Sequence, residues 1–391
     1  MEPLRFEVHK KLRSLMNDYW ERVRRRERRI AWCSALVPAE ILIAMDFELI
    51  FAMNNSATCG TARVSLGLCE EAEAYGFSQD LCSYARTDIG SALMGEGTLS
   101  PVKPPKPDLV VVGNGQCHSI SKWLESLGNI WGVPVILIDT PFGGGERYVE
   151  EEIKEFIDFL ESFCGKRLDY YRLCEVVDTS RRMFTTWRDI LKLRKARPSP
   201  MSVFDIYTNL FPILGLRGRE EGALYYEELK REVEERVRNK VGAVPDERIR
   251  LHVHGVPVWY KLRDMYEDFA KKGANPITHL YPLVFSFYDL DPERPIESLA
   301  KCISSSWLNR DIKERAEVLA RLGEEYSLDG FVLQMTRTCK ACCAGAYDMG
   351  EEVKRLTGKP YLAIETDMCD PRFHNDAQVK RDIETFLETL A

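Results

Sequence analysis

Twelve cysteines in a chain of 391 residues are the first groups that could do chemistry. Three of them occupy positions that help a thiol to bind. Cys82 follows the turn-like stretch Gly76–Asp80 and precedes the helical run Tyr84–Leu93. Cys117 falls just after the apolar run Asp108–Gly113 and just before a helix starting near His118. Cys339 stands likewise between Gly330–Met335 and a helix starting near Ala341. Free N–H groups and positive potential at a helix N-terminus favour a thiolate over a thiol. Ligands of open α/β sheets bind outside the carboxyl ends of the strands. Three separated thiolates would hold an iron–sulfur cluster with one iron lacking a protein ligand, since such clusters normally take four cysteines. Zinc is served less well, because Cys339-x-x-Cys342-Cys343 has no second close pair to accompany it. Spacing alone leaves a cluster, zinc and plain buried thiols all open.

Other residues have both a chemical and a structural reading. Ser34, after the first strand, could bond a cluster ligand or a substrate carbonyl, or be a loop serine. His118, beside Cys117, reads as a base or cluster neighbour, or as an ordinary helix-start residue. Glu40 reads as structural at a helix start, and His252 and His254 as ordinary strand positions. Gly143-Gly144-Gly145 is a turn that could also cradle a phosphate. Arg86, Lys122, Arg337 and Lys340 flank the three cysteines and could meet anionic charge. Cys59, Cys342, Cys343 and Cys369 are spare thiols, with Cys342 or Cys343 available to a larger cluster.

The elements that must position these groups follow from the apolar pattern. Strands are expected at Arg29–Cys33, Glu48–Ala52, Asp108–Gly113, Val133–Asp139, Ile249–His254, Gly330–Met335 and Lys359–Glu365. Runs such as Leu109-Val110-Val111-Val112 are continuously apolar, as in strands covered on both faces. Helical periodicity follows at His118–Leu127, Gly145–Phe163, Trp259–Lys271, Ala341–Leu356 and Asp376–Leu390. From about Lys166 to Val241 the pattern is helical throughout. The expected architecture is α/β: two parallel-sheet domains of Rossmann or flavodoxin-like type, at 1–165 and 244–391, flanking a helical domain at 166–243. The first would carry Cys82 and Cys117, the last Cys339.

Composition narrows the function. Hydrophobic residues make up 45% and charged residues 29%, which is ordinary for a globular protein. A net charge of −7 leaves no basic excess to neutralise phosphates, against nucleic acid as a partner. The basic run Arg22–Arg29 reads as a solvated helix face. The longest apolar stretch, Ala35–Ala52, is broken by Pro38, Glu40, Asp46 and Glu48, against a membrane span. A charged opening without a signal-peptide pattern makes a cytoplasmic location the expectation, where disulfides are rare.

Four segments carry a family resemblance. They are Leu81-Cys82-Ser83-Tyr84-Ala85-Arg86-Thr87-Asp88; Pro105-Lys106-Pro107-Asp108 with Asn114-Gly115-Gln116-Cys117 and Lys122-Trp123-Leu124-Glu125; Thr336-Arg337-Thr338-Cys339-Lys340; and Ile364-Glu365-Thr366-Asp367 with Asp370-Pro371-Arg372. In this order they resemble the signatures of the 2-hydroxyacyl-CoA dehydratase and benzoyl-CoA reductase family. The resemblance implies a [4Fe–4S] cluster on Cys82, Cys117 and Cys339, with an acyl-CoA oxygen at the fourth iron. It implies a paralogous second subunit or a homodimer, and a separate ATP-hydrolysing iron–sulfur activator that delivers one electron. The activity implied is loss of water from a 2-hydroxyacyl-CoA through a ketyl radical. Aromatic-ring reduction, a double-cluster small-molecule reductase, or an electron-transfer subunit without substrate are the alternatives. The chain has no GxxxxGK[ST], so the ATPase role is not its own. Catalytic members carry an acidic residue near the second strand, where this chain reads Ala52-Met53-Asn54-Asn55-Ser56-Ala57.

Overall fold

The computed structural model describes residues 6–95, 105–287 and 289–391. Two four-stranded sheets, parallel throughout, carry the fold. The first contains β1 (Arg29–Cys33), β2 (Phe47–Phe51), β3 (Leu109–Gly113) and β4 (Val135–Ile138), in the order β2-β1-β3-β4. The second contains β5 (Ile249–His254), β6 (Ala274–His279), β7 (Gly330–Thr336) and β8 (Tyr361–Thr366), in the order β6-β5-β7-β8. The strand order is therefore the same in both, and each reverses direction of growth between its first and third strands. The central strands β3 and β5 are buried along their length; β3 accordingly reads as an unbroken apolar run, while β5 alternates apolar residues with Arg250, His252 and His254.

Seven of the eight strands fall where the apolar pattern puts them. β6 does not stand out, because Ala274-Asn275-Pro276-Ile277-Thr278-His279 is half polar and contains a proline. It lies at the sheet edge and pairs only with β5, through a register shift at Leu251/His252, where a residue without an N–H is tolerated.

Between the sheets the chain is helical, at Tyr170–Leu193, Val203–Thr208, Phe211–Gly215 and Glu220–Arg238. Asp169 caps the first of these by accepting from the Arg172 N–H, and Ser202 with Asp205 forms a capping box on the second. Trp187, Phe184 and Tyr226 of this segment belong to one buried cluster with Ile30, Trp32 and Val110 of the first sheet. The second sheet has two smaller clusters of its own, one around Leu251 and Phe386 and one around Ile277 and Phe331. Buried ion pairs reinforce the joins. Arg217 chelates Glu40 at 2.7 and 3.1 Å, both side chains fully buried, with its guanidinium over Phe287. Arg250 of β5 binds Glu247 at 2.8 Å and donates to the carbonyls of Lys195, Ala196 and Tyr326.

At each reversal point one hydroxyl ties two strand ends together. Ser34 accepts from the Gly113 N–H at 2.7 Å and donates to the Gly113 carbonyl at 3.1 Å. Gly113 is required there, because a Cβ would stand 1.7 Å from the Leu36 carbonyl. In the second sheet Thr336 accepts from the Val256 N–H at 3.3 Å and donates to the Gln334 carbonyl at 3.4 Å.

Candidate functional site

The loops leaving β3 and β7 and the start of helix Ser83–Met94 meet around a cavity of about 410 Å³. Cys82, Cys117 and Cys339 all line it. Each stands at or just before the start of a helical segment, Ser83–Met94, Ser119–Trp131 and Lys340–Cys343. Each sulfur also faces an N–H of the turn that follows: Ala85 for Cys82, Ser119 and Ile120 for Cys117, Cys342 for Cys339. Burial, and then the neighbouring Cys339 and Cys117, push the Cys82 thiol up from its ordinary value, with the Ala85 N–H opposing. Burial followed by Cys339 raises Cys117. The adjacent Cys342 thiol, then burial, raises Cys339.

Among the described residues no three His, Cys, Asp or Glu side chains converge tightly enough to hold a single metal ion. The thiols instead ring a space, with their sulfurs facing backbone donors. That donor set fits a multi-iron cluster, whose thiolates take N–H hydrogen bonds, better than it fits zinc.

Asp367, fully buried after β8, locks two of the cysteine loops together. Its carboxylate accepts from the Ser83 hydroxyl at 2.5 Å, and from the Thr338 hydroxyl and N–H at 2.6 and 3.1 Å. The N–H groups of Cys369 and Asp370 reach it at 3.2 and 3.0 Å. The Ser83 N–H donates to Thr338 Oγ1 at 3.0 Å, completing the lock. Beside it, Arg86 binds Asp370 at 2.8 Å and Glu73 at 2.5 Å, and Arg372 closes on the same two carboxylates. Burial opposes ionisation of Asp370, and Arg372 and Arg86 outweigh it, so this carboxyl sits below its ordinary range.

The structure brings the three cysteines together at the cavity, with Lys122, Lys340, Cys342 and His254 also on its lining, and leaves Ser34, His118, Arg86 and Arg337 off it. Ser34 is fully buried in its bonds to Gly113 and is not among the residues that line the cavity. His118 is exposed on a neighbouring groove. Arg86 is buried in its ion pairs, while Arg337 and Lys122 are exposed and paired with Glu365 and Glu125. Lys340 reaches both the cavity and the groove. Met53 lines the cavity in the stretch where the acidic residue is missing, and its sulfur takes the Gln116 amide at 3.1 Å.

Sequence reasoning does not single out Tyr84 or Tyr281, and it takes His254 for an ordinary strand position; all three line the cavity. His254 belongs to a buried trio with His252 and His279, ring centroids 6.5 and 6.4 Å apart along the series. Burial holds all three below the ordinary histidine value, His252 at about 3, with Arg194 or Arg315 adding to the effect. The i, i+2 spacing of His252 and His254 on one strand was the available signal that they share a face.

The groove of about 770 Å³ adjoins the cavity and shares Gln116, Cys117, Ser119, Leu308, Lys340 and Ala341 with it. Arg310, Lys313 and Lys340 give its walls positive charge, and the Phe142 ring stands exposed beside them. No helix among the described residues is long and apolar enough to cross a membrane.

The sequence matches a known family. A family model described as 2-hydroxyglutaryl-CoA dehydratase, D-component, matches residues 34–390, and the chain belongs to that family. It is accordingly an enzyme subunit. It is 30% identical over 382 residues to a benzoyl-CoA reductase subunit of Thauera aromatica, covering 91% of this chain and 88% of the relative. It is 28% identical over 373 residues to the (R)-2-hydroxyisocaproyl-CoA dehydratase alpha subunit of Clostridioides difficile, covering 93% and 90%. The lactoyl-CoA dehydratase alpha subunit of Anaerotignum propionicum is 26% identical over 382 residues, covering 92% and 90%.

Proposed function

We propose that this chain is the substrate-facing subunit of a 2-hydroxyacyl-CoA dehydratase, with a [4Fe–4S] cluster held by Cys82, Cys117 and Cys339. The observation that carries the reading is that three thiols, Cys117 and Cys339 on loops leaving the two sheets and Cys82 at the start of a helix, line one cavity, each sulfur facing N–H groups of the turn that follows. When bound, the cluster supplies an electron relay and an iron with a position open to an oxygen ligand. The remaining work belongs to the protein. Ile89, Ile120, Trp123, Leu280 and Phe285 give the cavity apolar walls that exclude water from a reactive intermediate. The groove takes the coenzyme A tail, with Arg310, Lys313 and Lys340 meeting its phosphates. The Asp367 lock holds the Cys82 and Cys339 loops at a fixed separation, so the site is preorganised.

Removing a hydroxyl alpha to a thioester requires loss of a weakly acidic proton from the next carbon, beyond ordinary acid–base catalysis. One electron from a separate ATP-hydrolysing iron–sulfur activator, returned at the end of turnover, makes the elimination accessible. A second, related subunit completes the enzyme.

The test is iron and sulfide content with reduced-state EPR on anaerobically purified protein, alongside Cys82→Ala, Cys117→Ala and Cys339→Ala. About four irons per chain, lost in each variant, is the expected result. No iron after anaerobic reconstitution overturns the reading. A benzoyl-CoA reductase subunit is the second reading, favoured by the 30% identity to the Thauera aromatica subunit. A change in the reduced spectrum with benzoyl-CoA, and none with 2-hydroxyacyl-CoA thioesters, would select it.

A further inference from the structure

Among the described residues five hydroxyl-bearing side chains line the cavity: Tyr84, Ser119, Ser126, Tyr281 and Thr338. Four have their protons committed. Thr338 donates to Asp367 at 2.6 Å, Ser126 to the Lys122 carbonyl at 2.8 Å, and Ser119 to the Cys117 sulfur. The fourth is Tyr84, and its commitment follows from the direction of a chain. The Trp259 indole N–H, which can only donate, points at the Tyr84 oxygen. Tyr84 and Tyr281 then lie oxygen to oxygen at 3.2 Å. Tyr84 is 4% exposed and its proton has no other acceptor among the described contacts, so it is given to the Tyr281 oxygen. The series runs Trp259 to Tyr84 to Tyr281, and among the described residues it leaves the Tyr281 O–H as the uncommitted hydroxyl donor at the cavity.

Tyr281 is also held still. Its ring packs edge-on against Phe285, Trp259 and His279 at 4.8, 6.1 and 6.2 Å, and its N–H donates to His279 Nδ1 at 2.9 Å. A donor at the end of a polarised chain, fixed in a largely apolar cavity, is the arrangement that stabilises charge developing on an oxygen.

Resting on the dehydratase reading, we propose that the Tyr281 hydroxyl is the hydrogen-bond donor to the 2-hydroxyl oxygen of the bound acyl-CoA. As the carbon–oxygen bond breaks, its electron pair goes to oxygen, and Tyr281 stabilises that charge. The oxygen leaves as hydroxide and becomes water with the proton the substrate loses from C3. The electron that promotes the step is the activator's and is returned, so the elimination is redox-neutral. Tyr84 and Trp259 are positioning residues: they spend the other side of the Tyr281 oxygen and aim its proton at the substrate.

The test compares (R)-2-hydroxyisocaproyl-CoA with isocaproyl-CoA, which lacks only the hydroxyl, by equilibrium binding to the anaerobic holoenzyme. The wild type is expected to prefer the hydroxylated thioester by about 3- to 10-fold. Tyr281→Phe is expected to abolish that preference with affinity for isocaproyl-CoA and iron content unchanged, and to lower kcat about 100-fold. Tyr84→Phe, which keeps the Tyr281 hydroxyl but frees its orientation, is expected to weaken the preference without removing it. It also tests the chain if Tyr281→Phe fails to assemble. Persistence of the full preference in both variants overturns the inference and leaves the dehydratase reading standing. Binding of neither thioester by the wild type overturns both.

Discussion

The two sheets share a strand order and solve the same local problem with opposite atoms. In the first, the hydroxyl comes from the end of the opening strand: Ser34 reaches across to both backbone groups of Gly113, at the end of β3. In the second, it comes from the third strand: Thr336 on β7 reaches back to the Val256 N–H beyond β5. The glycine changes sides as well. Gly113 ends β3 against Leu36, whereas Gly255 follows β5 at φ +116°, where a Cβ would meet the Gln334 carbonyl at 2.6 Å. What matters at a reversal point is that two strand ends approach closely and stay paired; the strand that supplies the hydroxyl is interchangeable. The cysteine loops benefit equally, since Cys117 and Cys339 leave the two stapled strands, β3 and β7.

The halves differ more in charge chemistry. The buried histidines His252, His254 and His279 all belong to the second sheet, and His118 near the first is exposed. Because burial lowers their folded values, the unfolded chain binds more protons below about pH 6.5, so stability is present above that pH and lost as pH falls. The largest effect expected is therefore acid lability: about 4 kcal/mol lost per pH unit once all three titrate in the unfolded chain. Denaturant unfolding at pH 7.5, 6.5 and 5.5 measures it, and His252→Gln should remove about a third of the slope. An unchanged slope in that variant would place the acid sensitivity elsewhere.

The next largest effect probes the join of the helical segment to the first sheet. Glu40→Ala leaves Arg217 buried without its partner and should cost about 3–5 kcal/mol, read from the urea midpoint. Replacing both partners with apolar residues of similar volume should recover most of that loss.

The hydroxyl staples sharpen the comparison directly. Ser34→Ala strands a buried N–H held at 2.7 Å and should cost about 1–3 kcal/mol. Thr336→Val removes bonds of 3.3 and 3.4 Å and should cost about 1 kcal/mol or less. Equal costs would contradict the geometry. A loss of kcat in Ser34→Ala with stability unchanged would give Ser34 a part in the chemistry instead. The smallest effect concerns the surface pair Arg337–Glu365, both half-exposed, whose loss should stay within about 0.5 kcal/mol.

Much of the fold was legible because strands such as β3 are buried on both faces and so are written as apolar runs, as in Leu109–Gly113. β6 was hidden because an edge strand needs neither an apolar run nor every N–H, and Pro276 reads locally as a breaker. The positions of Cys117 and Cys339 were legible from their places between strand and helix, and that of Cys82 from its place between a turn and a helix. Asp367, quoted only as part of a signature, is understood only when its oxygens are seen between Ser83 and Thr338. Nothing in the sequence links Tyr281 to its two partners, since Tyr84, quoted only as part of a signature, lies 197 residues from Tyr281 and 175 from Trp259.

Such separations bear on how the protein is made. The bond from Ser83 to Thr338 closes across 255 residues, and that from Ser83 to Asp367 across 284. A chain emerging from the ribosome presents Cys82 and Cys117 on a nearly complete first half long before β7 and β8 exist to receive them. The cavity is thus among the later features to close during synthesis, and a cofactor held by all three cysteines can be seated only after Cys339 has been made.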